Sequence, residues 1–403
     1  MSEPQYFQQV SQAVRFQDGS SLSNLLSISI PNNLLQERSN FALPQRDEVI
    51  DQKWTDLVST YLSLLKSITK HGDLKKAFET SLDLVSQLNR IASNETNWII
   101  GLLILLSTEL KYVGNLYNSN KGDQSTPEHS RAPLEKIADV FNRSFKICLS
   151  DKNPDLATSK KIAVYYFAGI LFKLYFTMNK FDLASSLQKV LLSTASTLPS
   201  LRKVPKSHST AYLYLNAILN CFHNRFEEAH KNLTSALSTC LKTNTKNMQC
   251  IILLLAPLQL LLSRKLPSDK LYNQFPKVKS RYQTIFNSVK VGDLKTFDAE
   301  FDRLEEVLLK NNLYVVFLKL RQLPVLTLLR QVHNVRSSHL VKIADMATAL
   351  NFSLSHEANQ NLLSFEEAEQ HISILIAIGY VKGYISHGNK VAVLSKTKPF
   401  PIS

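Results

Sequence analysis

A mostly α-helical chain is predicted: an irregular, tetratricopeptide-like α-solenoid of helical hairpins capped by a C-terminal winged helix. Three observations carry this. Apolar residues recur at helical spacing along nearly all of the 403 residues. A turn motif built on Gly or Asn recurs between those helices. Near the end, two short helical stretches precede the one convincing β-hairpin signal, and two short helices followed by a hairpin make a winged helix.

In chain order, Pro4 suits a first helical turn, with Tyr6, Val10 and Val14 on one face. Asp18-Gly19 stops that helix, and Leu22–Ile28 forms a second. Residues 31–47 read as a connector. Trp54, Leu57, Val58, Tyr61, Leu64, Leu65 and Ile68 mark a helix over Gln52–Ile68, with a partner over Leu74–Ala92 and an apolar helix over Asn97–Tyr117. Residues 118–133 are rich in Asn, Ser, Gly and Pro and read as an exposed loop. Helices follow at about 134–149, 155–178 and 181–195, then a basic connector, Pro199–His208. Asn247–Lys265 contains Pro257, a predicted kink. Arg281–Val289 with Leu294–Leu309, then Leu313–Arg321, Pro324–His333, Ser338–Leu350 and Ser364–Ile378, complete the helices.

Asn179-Lys-Phe-Asp-Leu-Ala184 is echoed 45 positions on by Asn224-Arg-Phe-Glu-Glu-Ala229, and more loosely by Gly72-Asp-Leu and Gly292-Asp-Leu. In each, Gly or Asn ends one helix in the left-handed conformation and an apolar residue starts the next. The spacing exceeds the tetratricopeptide repeat of about 34 residues. Three segments are expected: residues 1–208, helical repeats; 209–335, a helical part; 336–403, the winged helix. In the wing, Val381, Gly383 and Ile385 alternate with Tyr380, Lys382 and Tyr384, Gly388-Asn389 supplies a two-residue turn, and Val391–Leu394 returns.

The formal net charge is +14, which favours an acidic partner or serves solubility alone. Charge concentrates over Leu241–Lys290, where nine basic residues face one acid, Asp269. Such a patch can neutralise phosphates without reading sequence. Candidate nucleic-acid contacts are Lys277, Lys279 and Arg281 there, Arg330 and Arg336 before the wing, and Lys382, Lys390, Lys396 and Lys398 on the wing and tail. Tyr380, Tyr384 and Phe400 are either stacking surfaces or packing residues. Glu366, Glu367 and Glu369 at the start of the presumed recognition helix would repel phosphate, so groove reading by it is not expected. Candidate partner contacts are Tyr380, Tyr384, His387, Lys265 and Lys270. Cys148, Cys221, Cys240 and Cys250 lack metal or redox spacing and read as reduced, mostly buried thiols of an intracellular protein. The apolar runs Trp98–Leu106 and Cys250–Leu262 fall short of the roughly 18 residues of a span. Nucleotide, nucleophile-elbow and zincin motifs are absent, so no enzyme, metal or cofactor is expected.

Specific stretches resemble a known family. They are Tyr6-Phe-Gln-Gln-Val10 with Asp18-Gly19, Asn97-Trp98, Leu171–Phe176 with Asn179-Lys180, Val291-Gly-Asp-Leu294, Tyr384-Ile-Ser-His387, Ser395-Lys396 and Pro399-Phe-Pro401. Together they resemble the PCI proteins of the transcription-and-export complex 2, a group that also takes in PCI-domain-containing protein 2 and the twelfth signalosome subunits. The resemblance implies a non-enzymatic scaffold in a nuclear mRNA-export complex at the nuclear pore, with some cytoplasmic presence. It implies a larger Sac-type PCI partner, a small acidic DSS/Sem-type protein, and RNA or DNA bound without sequence preference. The basic segment serves nucleic acid, the acidic small protein, or both. The alternative is a purely protein-binding subunit of a signalosome-type or splicing-related assembly.

Overall fold

The four turns named above organise the helices, and local chemistry explains them. In the computed structural model Gly72, Asn179, Asn224 and Gly292 all have positive φ, between 58° and 87°. After Gly72 and Gly292 an aspartate caps the next helix: Asp73 accepts from the Lys76 amide and Asp293 from the Thr296 amide and hydroxyl. At Gly292 φ is 87°, which favours glycine, and a side chain there would also crowd Leu328 at 3.1 Å.

The structure describes residues 2–44, 51–120, 127–155, 158–355 and 363–401. The chain divides into two units, residues 1–215 and 216–403. The first holds α1 (Glu3–Arg15), α2 (Gly19–Leu26), α3 (Asn32–Ser39), α4 (Gln52–Lys66), α5 (Leu74–Asn94), α6 (Ile100–Ser119), α7 (Pro127–Leu149), α8 (Val164–Thr177) and α9 (Phe181–Ser193). Each of α4 to α8 packs against the next helix in sequence, the nearest-neighbour pattern of a solenoid. The division falls inside α10 (Lys206–Phe222).

The second unit continues with α11 (Phe226–Thr239), α12 (Thr245–Ser263), α13 (Asp269–Gln274), α14 (Pro276–Val291), α15 (Leu294–Lys310), α16 (Tyr314–Leu320) and α17 (Gln322–Arg336). The winged helix follows: β1 (Leu340–Lys342), α18 (Ile343–Ser355), α19 (Phe365–Ala377), β2 (Gly383–Ser386) and β3 (Val391–Leu394). Its antiparallel sheet has the order β1-β3-β2. Val325 and Leu329 of α17, Val341 of β1, Met346 and Leu350 of α18, Ile372 and Leu375 of α19, and Ala392 and Leu394 of β3 share one buried apolar cluster. Polar ties fasten this cluster to the hairpin before it. The Leu294 amide donates to Ser353 Oγ at 2.8 Å, and Ser353 Oγ donates to the Gly292 carbonyl at 2.7 Å.

The fold is therefore the mostly helical class that the sequence predicts, hairpins ending in a winged helix, with several local differences. The expected connector at 31–47 contains α3, its last residues lying outside the described ones. Of the expected loop at 118–133, residues 121–126 lie outside the described residues and Pro127–Pro133 opens α7. The first amides of a helix lack partners anyway, so Pro127 costs nothing there. The helix expected from residue 155 starts only at Val164, after a turn in which Asp151 accepts from Ser159 Oγ and the Lys160 amide. Pro276 starts α14 ahead of the expected Arg281, and α13 stands in what read as loop. The helix expected over Ser338–Leu350 begins with strand β1, because Leu340 and Lys342 pair with Val393 and Val391. The wing turn spans four residues, His387–Lys390, and the left-handed residue is Lys390, φ 55°, where Gly388-Asn389 was expected to form a two-residue turn.

The helices containing the two apolar runs are long and apolar enough to span a membrane, over Asn97–Ser119 and Thr245–Ser263, which the runs alone did not indicate. About half of each window is buried, 56% and 50%, as in core helices. Cys148 and Cys221 are buried, whereas Cys240 is half-buried and Cys250 exposed, so only two of the four thiols sit in the core. Burial pushes the Cys148 and Cys221 thiols up to about 12.

Candidate interaction surface of the winged helix

Which charges remain available depends on which ones the fold already engages. Arg336, in the last turn of α17, is held by Asp345 at the start of α18 through two hydrogen bonds, Nε to Oδ2 at 2.9 Å and Nη2 to Oδ1 at 2.7 Å. Arg330, one helical face away, lies 5.2 Å from the centre of the Phe400 ring, which also meets the His333 ring edge-on at 5.5 Å. Burial and the nearby Arg264 guanidinium both hold the Arg330 pKa below its ordinary value. Arg264 ends α12 in the left-handed conformation, donates to the Leu261 carbonyl at 2.7 Å and covers the Tyr380 ring at 4.1 Å. Tyr380 and Phe400 are thus half-buried packing residues, each beneath an arginine.

Tyr384 differs. It is 63% exposed, and Lys382, Lys396 and Lys398 are exposed around the wing and tail. Lys390 is exposed too, with its ammonium 5.1 Å from the Phe365 ring centre. His387 at the wing turn meets the Glu369 carboxylate through Nδ1 at 2.9 Å, linking wing and α19. On the same helix Glu367 completes a capping box with Ser364, and Glu366 is exposed in the first turn. This end of α19 therefore presents carboxylates. His371, further along, is held below the ordinary histidine range chiefly by burial and secondly by Arg321, with Glu367 opposing. Arg321 itself is clamped by Asp298, with contacts of 2.7 Å to each carboxylate oxygen.

In the basic segment Lys265, Lys270, Lys277 and Lys279 are exposed and Arg281 is half-buried. Among the described residues none of these five forms an ion pair. The segment and the wing belong to the same unit, joined through the packing of α14 on α17 and the Arg264–Tyr380 contact. The described residues contain no group of three His, Cys, Asp or Glu side chains able to hold a metal ion. Two features escaped sequence reasoning. Asp345 gave only the faint signal of an acid in a first helical turn. The Arg264–Tyr380 contact joins positions far apart in the chain and gave none.

The sequence matches the PCI domain over residues 296–396, from α15 through β3. A protein of Debaryomyces hansenii named Protein CSN12 homolog is 33% identical, covering 98% of this chain and 97% of its own length. The Saccharomyces cerevisiae protein named Cop9 signalosome complex subunit 12 is 30% identical over 87% of each. PCI domain-containing protein 2 of Danio rerio is 23% identical, covering 98% of this chain. With a winged helix where the PCI match ends and relatives similar along almost its whole length, the chain belongs to the PCI-domain family of CSN12 homologues and PCI domain-containing protein 2.

Proposed function

We propose that this chain is a scaffold subunit of a signalosome-type multi-subunit assembly, pairing its winged helix with a second PCI-containing subunit. The observation that carries this reading is the full-length similarity to proteins named as signalosome subunit 12. The geometry supports it. Strands β1 and β2 are the two edges of the sheet, and an edge strand offers unpaired backbone groups to a neighbour's sheet. Chemistry on a substrate has no part in this reading. The test is affinity capture of the tagged full-length chain followed by mass spectrometry. Signalosome-type PCI subunits should be recovered. Recovery of the chain without any PCI-containing protein would overturn the proposal.

A second reading places the chain in a nuclear mRNA-export complex at the pore, with a Sac-type partner, a small acidic DSS/Sem-type protein and nucleic acid bound without sequence preference. What favours it is that Lys270, Lys277 and Lys279 on α13 and α14 are exposed and, among the described residues, form no ion pair. Changing Lys277, Lys279 and Arg281 to Glu should weaken nucleic-acid binding. It should also lower the slope of log affinity against log salt by about 0.7 per lost contact on single strands. An unchanged slope, with capture of the small acidic protein lost, would assign the lysines to that protein instead.

A further inference from the structure

The helices of the first unit sort their charge. Between them α6, α8 and the start of α10 carry a single carboxylate, Glu109, which is buried and engaged by Ser27 and Ile28. Acids appear instead on the intervening α5, α7 and α9. Tyr166 of α8 joins α6 directly: its hydroxyl lies 2.6 Å from Thr108 Oγ1 and donates to the Ile104 carbonyl at 3.3 Å. One turn beyond Thr108 come Lys111 and Tyr112, and two turns beyond Tyr166 comes Lys173, on the same helix faces. Lys111 is half-buried and Lys173 exposed, and Tyr112 is 61% exposed. Among the described residues neither ammonium has a hydrogen bond or an ion pair. Burial, and secondly the charge of Lys173, hold the Lys111 pKa below its ordinary value. The fold thus keeps two ammonium groups near each other and one of them partly desolvated, a cost that an arriving anion would remove.

We propose that the α6–α8 surface around Lys111, Lys173 and Tyr112 docks an extended peptide segment of a protein partner through a single carboxylate flanked by apolar side chains. The site lies in the first unit, outside the winged helix, and is independent of both readings above. Charge complementarity selects the carboxylate: two cations converge, and no exposed acid of α6 or α8 competes for them. The border selects the apolar flanks. Ile170 stands between Tyr166 and Lys173 on α8, and Leu116, one turn beyond Tyr112, is 39% exposed. A run of acids is the poorer match, because α6 and α8 carry no other lysine or arginine.

The test is fluorescence anisotropy of the full-length chain with a labelled pool of end-capped pentapeptides, Glu at the centre and Leu, Val or Phe on either side. The same pool with central Gln should bind about tenfold or more weakly. Lys111→Met and Lys173→Met should each bring binding of the Glu pool down to the level of the Gln pool. Each should also melt above the wild type, because a like charge is gone. Tyr112→Ala should weaken binding of both pools. Lys277→Glu with Lys279→Glu should leave it unchanged, which separates the site from general attraction to a chain of net charge +14. Equal affinity for the two pools, no binding of the Glu pool by the wild type, or Glu-pool affinity unchanged in Lys111→Met would overturn the site. Lower melting midpoints in both methionine variants, with the preference for Glu kept, would make the lysines structural and overturn it too. Hexaglutamate binding tighter than the Glu pool and dependent on Lys111 would overturn the single carboxylate. A phosphoserine-centred pool binding more than about tenfold tighter would overturn the carboxylate itself.

Discussion

The two units handle charge in opposite ways. Among the described residues every buried charged side chain, Arg38, Glu109 and Lys160, lies in the first unit. Each accepts or donates hydrogen bonds within the unit, although Glu109 Oε2 is buried without a partner among the described residues. Lys160 Nζ donates to the carbonyls of Ala92 at 2.9 Å, Ser93 at 3.4 Å and Glu95 at 2.7 Å, closing the end of α5. Arg38 donates to the Leu25 carbonyl at 2.7 Å, beside the Tyr61 hydroxyl. Glu109 accepts from Ser27 Oγ and the Ile28 amide. In the winged helix the core cluster is apolar and the charges lie outside it, where some pair locally, as Arg336 does with Asp345. A buried charge must be satisfied from within, so the first unit's internal charges are committed to its own backbone. In the second unit Lys265, Lys270, Lys277 and Lys279 stay exposed and, among the described residues, form no ion pair.

The largest effect should come from the apolar side. Ile372→Ala removes a fully buried side chain from the winged-helix core and should cost about 3 kcal/mol. Hydrogen exchange should show protection lost in α18, α19 and the sheet but kept in α4 to α6. Loss spread evenly over both units would break the distinction drawn between them. Next comes Lys160→Met, which leaves buried carbonyls at the end of α5 without their donor. A cost of about 2 kcal/mol is expected, read as a lower urea midpoint with exchange rising in the first unit. Little change would mean that the buried ammonium contributes no more than a methylene chain does.

Smaller effects sharpen what the units share. Asp73→Ala and Asp293→Ala each remove an N-cap after a left-handed glycine, one in each unit. About 1 kcal/mol is expected for both, because the capping chemistry is local and independent of the surroundings. The smallest effect is Glu109→Gln, expected to shift stability by less than about 1 kcal/mol at neutral pH. Burial holds the Glu109 carboxyl above the ordinary range. A raised carboxyl stabilises the folded state below its unfolded pKa, and that contribution is lost as pH rises through the folded value. Stability relative to Glu109→Gln should therefore move in the wild type's favour as pH falls. Melting curves across acid pH check the sign.

The hairpin turns were legible because their chemistry is local. A Gly or Asn that tolerates positive φ, followed by a capping Asp or a packing Phe, needs only its own neighbours. Strand β1 was not legible. Three residues carry too little alternation to register, and Leu340–Lys342 is extended because β3 offers it partners. The wing turn was misplaced for a related reason: register set by Ser386 opposite Val391 passes the left-handed position to Lys390. Of the candidate contacts, exposure of Lys277, Lys279, Lys382 and Lys396 was readable from charge pattern. The sorting of the aromatics was not. Tyr380 and Phe400 became packing residues through Arg264 and Arg330, whose guanidinium groups arrive from distant points in the chain, while Tyr384 stayed exposed.

Most of the helices, the left-handed turns between them and the presence of a wing were readable from local chemistry, since backbone preference, capping and amphipathic spacing act over a few neighbouring positions. Which charges are consumed inside the molecule and which face outward was set by packing between distant segments. Whether a lysine meets a carbonyl, an aspartate or water depends on groups that folding brings together from far along the chain, and electrostatic interaction follows distance in space.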